Sequence, residues 1–252
     1  MRLDKYLSKK FGSRTKASVA ISKKLVLVNG NSVEPSYEYK DGDKIEIIPA
    51  EESYVSAGGF KLSKAIKDFN YSPKGKIFAD IGASTGGFTD CLFQHGAEKV
   101  YCIDIGESQL DKSLLQKNVV IIDNFNARNL SADIFSEKLD GVVIDVSFIS
   151  LTYILEGVSN ILSDGAQVLA LIKPQFECES RKVGKNGIVR GSDTHRKILN
   201  KILDFSIKCN LIPQNLTNAP IVSGKNMEYI VLLEKNAKCI FINETLIKSV
   251  NL

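Results

Sequence analysis

Apolar and polar positions alternate along the second part of the chain in a way that predicts strands and helices in turn. Six apolar runs from residue 76 onward have the length of buried strands. They are Lys76–Ile81, Lys99–Asp104, Val119–Asp123, Gly141–Asp145, Gln167–Ile172 and Glu228–Leu233. Segments with helical spacing lie between them, around residues 86–95, 107–117, 147–162 and 193–209. This alternation is typical of an α/β domain whose mostly parallel sheet is covered on both faces.

The first 48 residues follow a different pattern, which predicts a small α+β module. Apolar residues at helical spacing indicate two short helices. These residues are Leu3, Tyr6 and Leu7 in the first helix, and Val19, Ala20 and Ile21 in the second. Leu25–Val28 then leads into Asn29-Gly30, a strong signal for a tight turn between strands. Asp41-Gly42 predicts another turn before a strand at Lys44–Ile48.

A change of composition marks the boundary between the two parts. Pro49 and the acidic Glu51-Glu52 indicate a linker over residues 49–57. We therefore predict one domain over residues 1–48 and a second over residues 58–252. The second should open with a helix over Gly58–Phe69 that packs beside the first strand.

Charge is distributed unevenly between these parts. Residues 1–48 hold ten Lys and Arg against six Asp and Glu, and within the first 24 residues the balance is eight to one. The rest of the chain is balanced. A basic region at the start suits a polyanionic partner, because each phosphate that is neutralised releases counterions. A merely solvated basic face is the alternative.

Cysteine usage and hydropathy point to a soluble protein of the cytoplasm. The five cysteines are scattered, with no CxxC pair, which is typical of reduced thiols. With only two histidines to assist them, we expect no structural metal site. No apolar run approaches the roughly 20 residues of a membrane span, so we expect no membrane partner. The sequence does not indicate an oligomeric state.

A glycine-rich segment at the end of the first predicted strand suggests a small-molecule site. It runs from Asp80 to Phe88 with the sequence DIGASTGGF. Glycines at a strand-to-helix turn let a ligand approach the backbone, where the helix start offers free N–H groups. Ser84 stands where a dinucleotide fingerprint has its second glycine, so the pattern suits a ligand without a pyrophosphate. Such a ligand is S-adenosylmethionine, whose ribose would meet Asp104 at the end of the second strand. A generic tight turn with a surface Asp is the alternative.

Four ionisable residues fall at strand ends or beside the first strand, where the edge of the sheet would bring them together. Asp145 and Lys173 close the fourth and fifth strands, Glu228 opens the last, and Lys61 lies just before the domain's first strand. A lysine that follows six mostly apolar strand residues is costly unless it is paired, so Lys173 should meet a carboxylate. A simple salt bridge between Lys173 and Asp145 at the rim is the alternative.

Two lysines and two acids suit the alkylation of an alcohol. A ribose 2′-hydroxyl is a poor nucleophile and must lose its proton as it attacks. A lysine could orient the oxygen and help to take that proton, while the acids hold the lysines in place. Alignment with the methyl group would supply most of the acceleration.

Several longer motifs resemble those of the TlyA family, RNA 2′-O-methyltransferases that are sometimes labelled haemolysin A. The matching stretches are Gly82–Cys91 (GASTGGFTDC), Ile144–Leu151 (IDVSFISL), Lys173–Glu177 (KPQFE) and Asn226–Tyr229 (NMEY). The start, from Met1 to Leu7 and on through Leu25–Gly30, is similar to the family's N-terminal RNA-binding module, a type shared with a small-subunit ribosomal protein. The resemblance covers nearly the whole chain.

This resemblance implies a Rossmann-like methyltransferase domain with a mostly parallel seven-stranded sheet behind a ribosomal-protein-like RNA-binding domain. It implies a catalytic tetrad of Lys61, Asp145, Lys173 and Glu228, as in FtsJ-like 2′-O-methyltransferases. S-adenosyl-L-methionine would be the cofactor, ribosomal RNA in ribosomal subunits the partner, and a cytidine ribose the target. Asn126 would contact the adenine end of the cofactor, with a structural Asn-capped turn as the alternative. The family's usual Ser-Arg-Gly-Gly is replaced by Ser56-Ala57-Gly58-Gly59, so one basic contact to RNA is missing.

The residues expected to bind each ligand form two sets. For the cofactor we predict contacts from Asp80, Gly82, Ser84, Gly86, Gly87, Phe88, Asp104 and Asn126. For RNA we predict contacts from Arg2, Lys5, Lys9, Lys10, Arg14, Lys16, Lys23, Lys24, Arg181, Lys182 and Lys185. The last three belong to a Gly- and Ser-containing segment, Gln175–Gly191, which we interpret as a lid or RNA-guiding loop beside Lys173. An ordinary solvated loop is the alternative.

Two other functions compete with RNA methylation. One is a non-catalytic RNA-binding or ribosome-assembly factor that retains the fold. The tetrad disfavours it, because a pure binder has no need of a lysine at a buried strand end. The other is a membrane-active haemolysin, which the absence of a long apolar run disfavours.

Overall fold

Each of the two units of this protein has its own apolar core in the computed structural model. The structure describes residues 1–22, 25–47, 54–107, 109–179, 183–184, 187–220, 225–238 and 243–252. The first unit spans Met1–Ser53 and the second Tyr54–Leu252. Residues 54–57, the last part of the predicted linker, thus belong to the second unit. The rest of the predicted linker, residues 49–53, lies outside the described part of the chain.

The first unit packs two helices against a small antiparallel sheet. Its elements are α1 (Leu3–Tyr6), α2 (Arg14–Ser22), β1 (Val26–Val28), β2 (Asn31–Ser32) and β3 (Ile45–Ile47), with β1 between β2 and β3. Asn29 and Gly30 both have positive φ, as the tight turn between β1 and β2 requires. The prediction that Val19 lies on the apolar side of α2 is wrong: it is 49% exposed. Ala17 fills the core instead. It lies three residues before Ala20 and four before Ile21, so the three side chains share one face of the helix.

The second unit is built on a seven-stranded sheet, which confirms the predicted α/β class. Its strands are β4 (Ile77–Ile81), β5 (Lys99–Ile103), β6 (Val119–Ile122), β7 (Leu139–Ile144), β8 (Leu162–Ile172), β9 (Leu211–Asn218) and β10 (Tyr229–Lys235). Their order across the sheet is β6-β5-β4-β7-β8-β10-β9. Strands β4 to β8 pair in parallel, and β10 runs antiparallel to both β8 and β9.

Helices cover the sheet from both sides. They are α3 (Ala57–Asp68), α4 (Gly87–Gln94), α5 (Leu155–Asn160), α6 (Pro174–Glu177), α7 (Ser192–Lys208) and α8 (Asn243–Lys248). Two separate clusters of buried apolar residues fill the space on either face. The order of strands reverses at β4, which lies between β5 and β7, and ligands of such sheets bind outside the carboxyl ends at this switch point.

Two predicted helices are wrong in extent. In place of a helix over 107–117, the described residues have only a 3-10 turn at Leu114–Gln116. The segment is held instead by tertiary contacts, since the ends of Leu110 and Leu114 pack over Gly86. In place of a helix over 147–162 there are a 3-10 turn at Leu151–Tyr153 and the short α5. The φ of +64° at Phe148 is incompatible with a helix that begins at residue 147.

Three elements that the hydrophobic pattern did not predict complete the second unit, namely β9, α8 and α6, which occupies the start of the predicted lid segment. Strand β9 is interrupted by polar residues and contains Pro213, which fits its place at the edge of the sheet. The short α8 packs against α7 and β9. Among the helices that the structure describes, none has the length and hydropathy that crossing a membrane would require.

Candidate active site

The glycine-rich turn joins β4 to α4 at the switch point of the sheet. Gly82 and Gly86 have φ of +85° and +89°, values that side-chain-bearing residues rarely adopt. A Cβ atom on Gly82 would lie 2.8 Å from the carbonyl oxygen of Asp145, so the turn lies directly against the end of β7. Ser84 also has positive φ, at +47°. Gly82, Ser84 and Gly87 of this turn line one small pocket.

Asp104, just past β5, organises the same turn. One carboxylate oxygen accepts a hydrogen bond from the backbone N–H of Ser84 at 2.8 Å, and the other accepts one from Gly106 at 3.0 Å. Each carboxylate oxygen has a second lone pair, so these bonds leave acceptor capacity for the hydroxyls of a ribose. The structure thus gives Asp104 a role in shaping the loop that the sequence did not predict.

A cavity of about 560 Å³ opens beside this loop at the carboxyl ends of β4, β5 and β7. Apolar side chains of Ile103, Ile105 and Phe125 line it together with Asp104 and the loop backbone. This volume lies within the range of about 300–1,000 Å³ that small-molecule sites occupy. Glycines that leave room for a close backbone approach, an acceptor for hydroxyls and an apolar wall fit S-adenosylmethionine.

Asn126 lines the same cavity and also caps a turn. Its Oδ1 accepts a hydrogen bond from the backbone N–H of Arg128 at 3.0 Å, at the start of a 3-10 turn over Ala127–Asn129. The structural alternative that the sequence left open is therefore realised. The cavity position is compatible with a cofactor contact as well.

Asp80 lies behind the loop rather than on its surface. Its side chain is fully buried in β4, and one oxygen accepts a hydrogen bond from the Thr89 hydroxyl at 2.6 Å. The other oxygen is buried without a hydrogen-bond partner among the described residues. Burial raises the pKa of Asp80 to about 7, and the Thr89 hydrogen bond acts in the opposite direction. Asp80 thus supports the turn from within the fold.

The four residues of the predicted tetrad form two ion pairs. Lys173 Nζ lies 2.6 Å from a carboxylate oxygen of Asp145 and donates a hydrogen bond to Ser147 Oγ at 2.8 Å. Lys61 Nζ donates to Glu228 Oε2 at 2.6 Å. All four side chains are at least three-quarters buried, so their charges require these partners.

The register of the sheet brings both pairs to one edge. Ile144 of β7 pairs with Ile81 and Ala170, so Asp145 follows directly beside the loop. Tyr229 pairs with Ile172, which sets Glu228 opposite Lys173. The first turn of α3 closes the arrangement, because a Cβ on Gly58 would lie 3.5 Å from Asp145 Oδ2 and Lys61 follows one turn later.

A smaller pocket of about 170 Å³ connects the Lys173–Asp145 pair to the loop. It is lined by Gly58, Phe88, Asp145, Ser147 and Lys173, among others, and shares Gly82 and Ser84 with the larger cavity. A ligand in the larger cavity and a second reactant beside Lys173 would therefore meet. Phe148 stands at the rim with positive φ and a 91% exposed side chain, and its ring centroid lies 5.0 Å from that of Phe176.

Glu177 ties the segment after β7 to the segment after β8. It is buried, and its carboxylate accepts hydrogen bonds from Ser150 Oγ at 2.5 Å and the Leu151 N–H at 2.8 Å. Burial raises the pKa of Glu177, an effect that these bonds and Lys201 oppose. Because Asp145 and Ser147 lie on one segment and Lys173 on the other, this contact fixes their relative position.

A second buried network supports Glu228. Tyr229 O–H bonds to His195 Nδ1 at 2.8 Å, and the other ring nitrogen of His195 lies 3.2 Å from the carbonyl oxygen of Val189. That carbonyl can only accept, so the Nε2 carries a proton, and the Tyr229 hydroxyl also lies 3.3 Å from Met227 Sδ. Asn226 holds the same stretch through the Val189 N–H and the Gly187 carbonyl, both at 2.8 Å. The end of the predicted lid segment is thus anchored to the strand that carries Glu228.

Basic residues of the first unit occupy exposed positions. Arg2 and Arg14 both pair with the buried Asp4, at 2.9 and 3.2 Å. The Arg2 guanidinium, aided by Arg14, holds the pKa of Asp4 at about 2. Four further predicted RNA contacts have exposed side chains, namely Lys5, Lys9, Lys10 and Lys16. The remaining predicted contacts lie outside the described residues: Lys23, Lys24, Arg181, Lys182 and Lys185.

Several supporting residues were not predicted from the sequence. Ser147, Glu177 and Thr89 lie inside the long motifs, so their position in a motif was the available signal. His195 lies in no such motif, and nothing in the sequence marks it. No group of three or more His, Cys, Asp and Glu side chains in the described part of the chain is arranged to hold a metal ion.

Comparison with known proteins assigns both units to families. The profile of the S4 domain matches residues 1–45, and the profile of the FtsJ-like methyltransferases matches residues 54–235. Hemolysin A of Brachyspira hyodysenteriae is 43% identical over 236 residues, which cover 91% of this chain and 98% of that protein.

Further relatives agree with this assignment. The 23S rRNA (cytidine-2′-O)-methyltransferase TlyA of Campylobacter jejuni is 31% identical, with 94% of this chain and all of that protein covered. A solved structure of a proposed hemolysin from Streptococcus thermophilus is 37% identical, with a TM-score of 0.73 and coverage of 99% of this chain and 94% of that one. The chain therefore belongs to the TlyA family, FtsJ-like methyltransferases that carry an S4 domain in front of the methyltransferase domain.

Proposed function

We propose that this protein methylates the ribose 2′-hydroxyl of a cytidine in ribosomal RNA. The observation that carries the proposal is the pair of lysine–carboxylate contacts, Lys173–Asp145 and Lys61–Glu228, beside a cavity that fits S-adenosylmethionine. The name of the Campylobacter relative, which specifies a cytidine 2′-O-methyltransferase of 23S rRNA, supports the choice of nucleoside and RNA.

Family membership gives the cofactor, which we assign to the larger cavity. As an FtsJ-like methyltransferase, the chain uses S-adenosyl-L-methionine, which supplies an electrophilic methyl group. The proposed cofactor contacts come from the loop residues Gly82, Ser84, Gly86, Gly87 and Phe88, supported from within by Asp80. Asp104 and Asn126 would hold the ribose and adenine parts. The backbone N–H groups at the start of α4 offer donors to the carboxylate of the amino-acid part.

Lys173 is the residue that we assign to the proton of the attacking hydroxyl. After the ammonium has released one proton to solvent, the Nζ lone pair can accept the hydroxyl proton as the oxygen attacks, and the ammonium that forms again is stabilised by Asp145 at 2.6 Å. Ser147 fixes the direction of the amine through its 2.8 Å hydrogen bond. Such positioned proton transfer contributes about 10²–10⁴-fold to a rate.

Lys61 and Glu228 act as the second pair in this proposal. Lys61 donates to Glu228, so its ammonium is held at the edge of the sheet, where it can donate a hydrogen bond to the ribose oxygen. Glu228 is fixed in turn by the anchored Tyr229, which follows it in the chain. These two residues would orient the ribose and balance charge, while Lys173 handles the proton.

RNA binding is assigned to the basic residues of the first unit. Arg2, Arg14 and the exposed Lys5, Lys9, Lys10 and Lys16 would contact phosphates. Contacts by Lys23, Lys24, Arg181, Lys182 and Lys185 remain predictions from the sequence.

The test is methyl transfer to unmodified ribosomal subunits from isotopically labelled S-adenosylmethionine. The RNA is digested to nucleosides and examined by mass spectrometry, with wild type, Lys173→Ala and Lys99→Ala in parallel. Lys99 is a matched control, since it is also a mostly buried lysine that forms an ion pair with a carboxylate near a strand end, with Glu137 at 2.9 Å, but at the amino ends of the parallel strands. We expect labelled 2′-O-methylcytidine with wild type and Lys99→Ala, and none with Lys173→Ala.

Other outcomes discriminate among the alternatives. Label in a different 2′-O-methyl nucleoside would contradict the cytidine assignment and leave the reaction standing. Cofactor binding and RNA binding without label in any nucleoside would favour a non-catalytic ribosome-assembly factor. Full activity of Lys173→Ala would exclude the assigned proton acceptor.

A further inference from the structure

Two tyrosine rings are stacked on the surface of the first unit. The centroids of Tyr6, in α1, and Tyr39, just before β3, lie 4.0 Å apart, and their planes differ by 20°. Tyr39 is half-buried against the core of this unit, whereas Tyr6 is 42% exposed. One face of the Tyr6 ring is covered by Tyr39, so most of its exposed area belongs to the other face and the edge.

The backbone around this pair is well fixed. The Tyr39 N–H donates to the Met1 carbonyl at 3.0 Å, and the Tyr6 N–H donates to the Arg2 carbonyl at 3.0 Å. Stacking on Tyr39 restricts the Tyr6 ring, which lowers the entropy cost of ordering it on binding.

The charges beside the pair suit a polyanion. Arg2 lies one helical turn before Tyr6, and the buried Asp4 holds the guanidinium groups of Arg2 and Arg14 close together. Lys5 is the neighbour of Tyr6 and is exposed. The carboxylates that face the Tyr39 hydroxyl belong to Asp41 and Asp43, on the Tyr39 side of the stack. Asp43 is engaged by the Lys40 N–H at 2.9 Å and by Asn29, so the cationic side is that of Tyr6.

From this juxtaposition we propose that the outer face of Tyr6 is a stacking platform for an unpaired RNA base, with the paired arginines on the adjoining phosphates. The proposal rests on the RNA-binding function assigned above and names the nucleotide feature that this surface recognises. Aromatic rings flanked by cations are the common means of binding single-stranded nucleic acid, because every base has a π face. A pair whose only role was packing would have no reason to leave its outer ring so exposed beside fixed cations.

The absence of tryptophan from the whole sequence makes the platform directly observable. A Tyr6→Trp variant of the full chain carries a single indole, whose fluorescence reports contact with a base. We would titrate it with a single-stranded RNA oligonucleotide and with an abasic ribose-phosphate oligomer of equal length and charge. We expect quenching by the first and little change with the second. Equal quenching by both, or none by either, would overturn the proposal.

Affinity measurements provide the second arm. Stacking on one aromatic residue changes affinity by about tenfold in typical cases, so Tyr6→Leu should bind the oligonucleotide roughly tenfold more weakly. Tyr6→Phe, which retains the ring, should stay within about twofold of wild type. Thermal melts of both variants establish that the unit remains folded. A Tyr6→Leu affinity equal to that of wild type would also overturn the proposal.

Methyl transfer by the wild-type protein separates this inference from the proposed function. If wild type labels ribosomal RNA while the Tyr6 variants behave like it in binding, only the stacking platform is refuted. If the indole is quenched by RNA bases but wild type labels no nucleoside, the platform stands and the methylation proposal falls.

Discussion

Asp80 shows at the scale of one residue how the fold shifts an acid–base equilibrium. Burial raises its pKa from the ordinary 3.8 to about 7, so between these pH values the folded chain holds a proton that the unfolded chain has released. Stability from this group is therefore complete below about pH 4 and is lost as pH rises through about 7. Relative to Asp80→Asn, wild type should become less stable across this window by a few kcal/mol.

Urea unfolding curves measured from acid to alkaline pH would test this prediction. The difference in unfolding free energy between wild type and Asp80→Asn should change between about pH 4 and 7 and stay constant above. A difference that is independent of pH would show that Asp80 titrates like an exposed carboxyl.

Glu177 is a second buried carboxylate, and its removal should lower the free energy of unfolding. In Glu177→Ala, the Leu151 N–H and the Ser150 hydroxyl lose their acceptor within the core. We expect a decrease of about 2–3 kcal/mol in unfolding free energy, as for buried groups left unsatisfied. Glu137→Ala is the control, since the Glu137 side chain is 43% exposed in its pair with Lys99 and the change should cost less than about 1 kcal/mol. Equal decreases, measured by urea unfolding, would contradict the structural role of Glu177.

At the scale of elements, the β4–α4 turn depends on a glycine at its first position. Gly82→Ala combines a φ of +85° with a Cβ that meets the backbone of Asp145 at 2.8 Å. The neighbouring strand end must move, so we expect S-adenosylmethionine binding to be abolished in calorimetry. Gly75→Ala is the matched control, because it has φ of +68° but open space around the new atom. It should lower stability by about 1 kcal/mol and leave cofactor binding intact. If Gly82→Ala bound S-adenosylmethionine with the affinity of wild type, the close approach of Gly82 to the Asp145 backbone would be refuted.

The elements that the sequence predicts well are those whose apolar residues all pack against the core of the same unit. Strands β4, β5 and β7 are mostly apolar runs because both of their faces are covered, and α7 has a regular apolar stripe. The segment 107–117 has leucines at helical spacing, yet Leu110 and Leu114 serve to cover the glycine turn instead of a helix face. Strand β9 has a mixed pattern because it lies at an edge, so no periodicity marks it.

The part of the candidate site that could be predicted consists of residues whose own charge requires a partner. A lysine at a buried strand end requires an acid, which is how Lys173 pointed to Asp145. The pairing of Lys61 with Glu228 spans 167 residues and follows only from the register of the sheet and the packing of α3. The network through His195 is of the same kind, since its partners are brought together by the fold alone.

At the scale of the whole molecule, the two units differ in charge. The excess of basic residues lies almost entirely in the first 24 positions, while the second unit carries the cavity and the ion pairs. Binding of RNA should therefore depend on ionic strength, because phosphate contacts release counterions. Binding of S-adenosylmethionine, which has no phosphate groups, should depend on it little.

A triple variant, Lys9→Ala with Lys10→Ala and Lys16→Ala, tests this division. These three side chains are exposed and form no ion pair among the described residues, so their removal should leave stability nearly unchanged. We expect weaker RNA binding and a slope of log K against log salt that is reduced by about 0.7–0.9 for each phosphate that the variant no longer neutralises. Calorimetry should give the wild-type affinity for S-adenosylmethionine. An unchanged salt slope would remove these lysines from the RNA-binding surface, and a parallel decrease in cofactor affinity would show that the two units do not act independently.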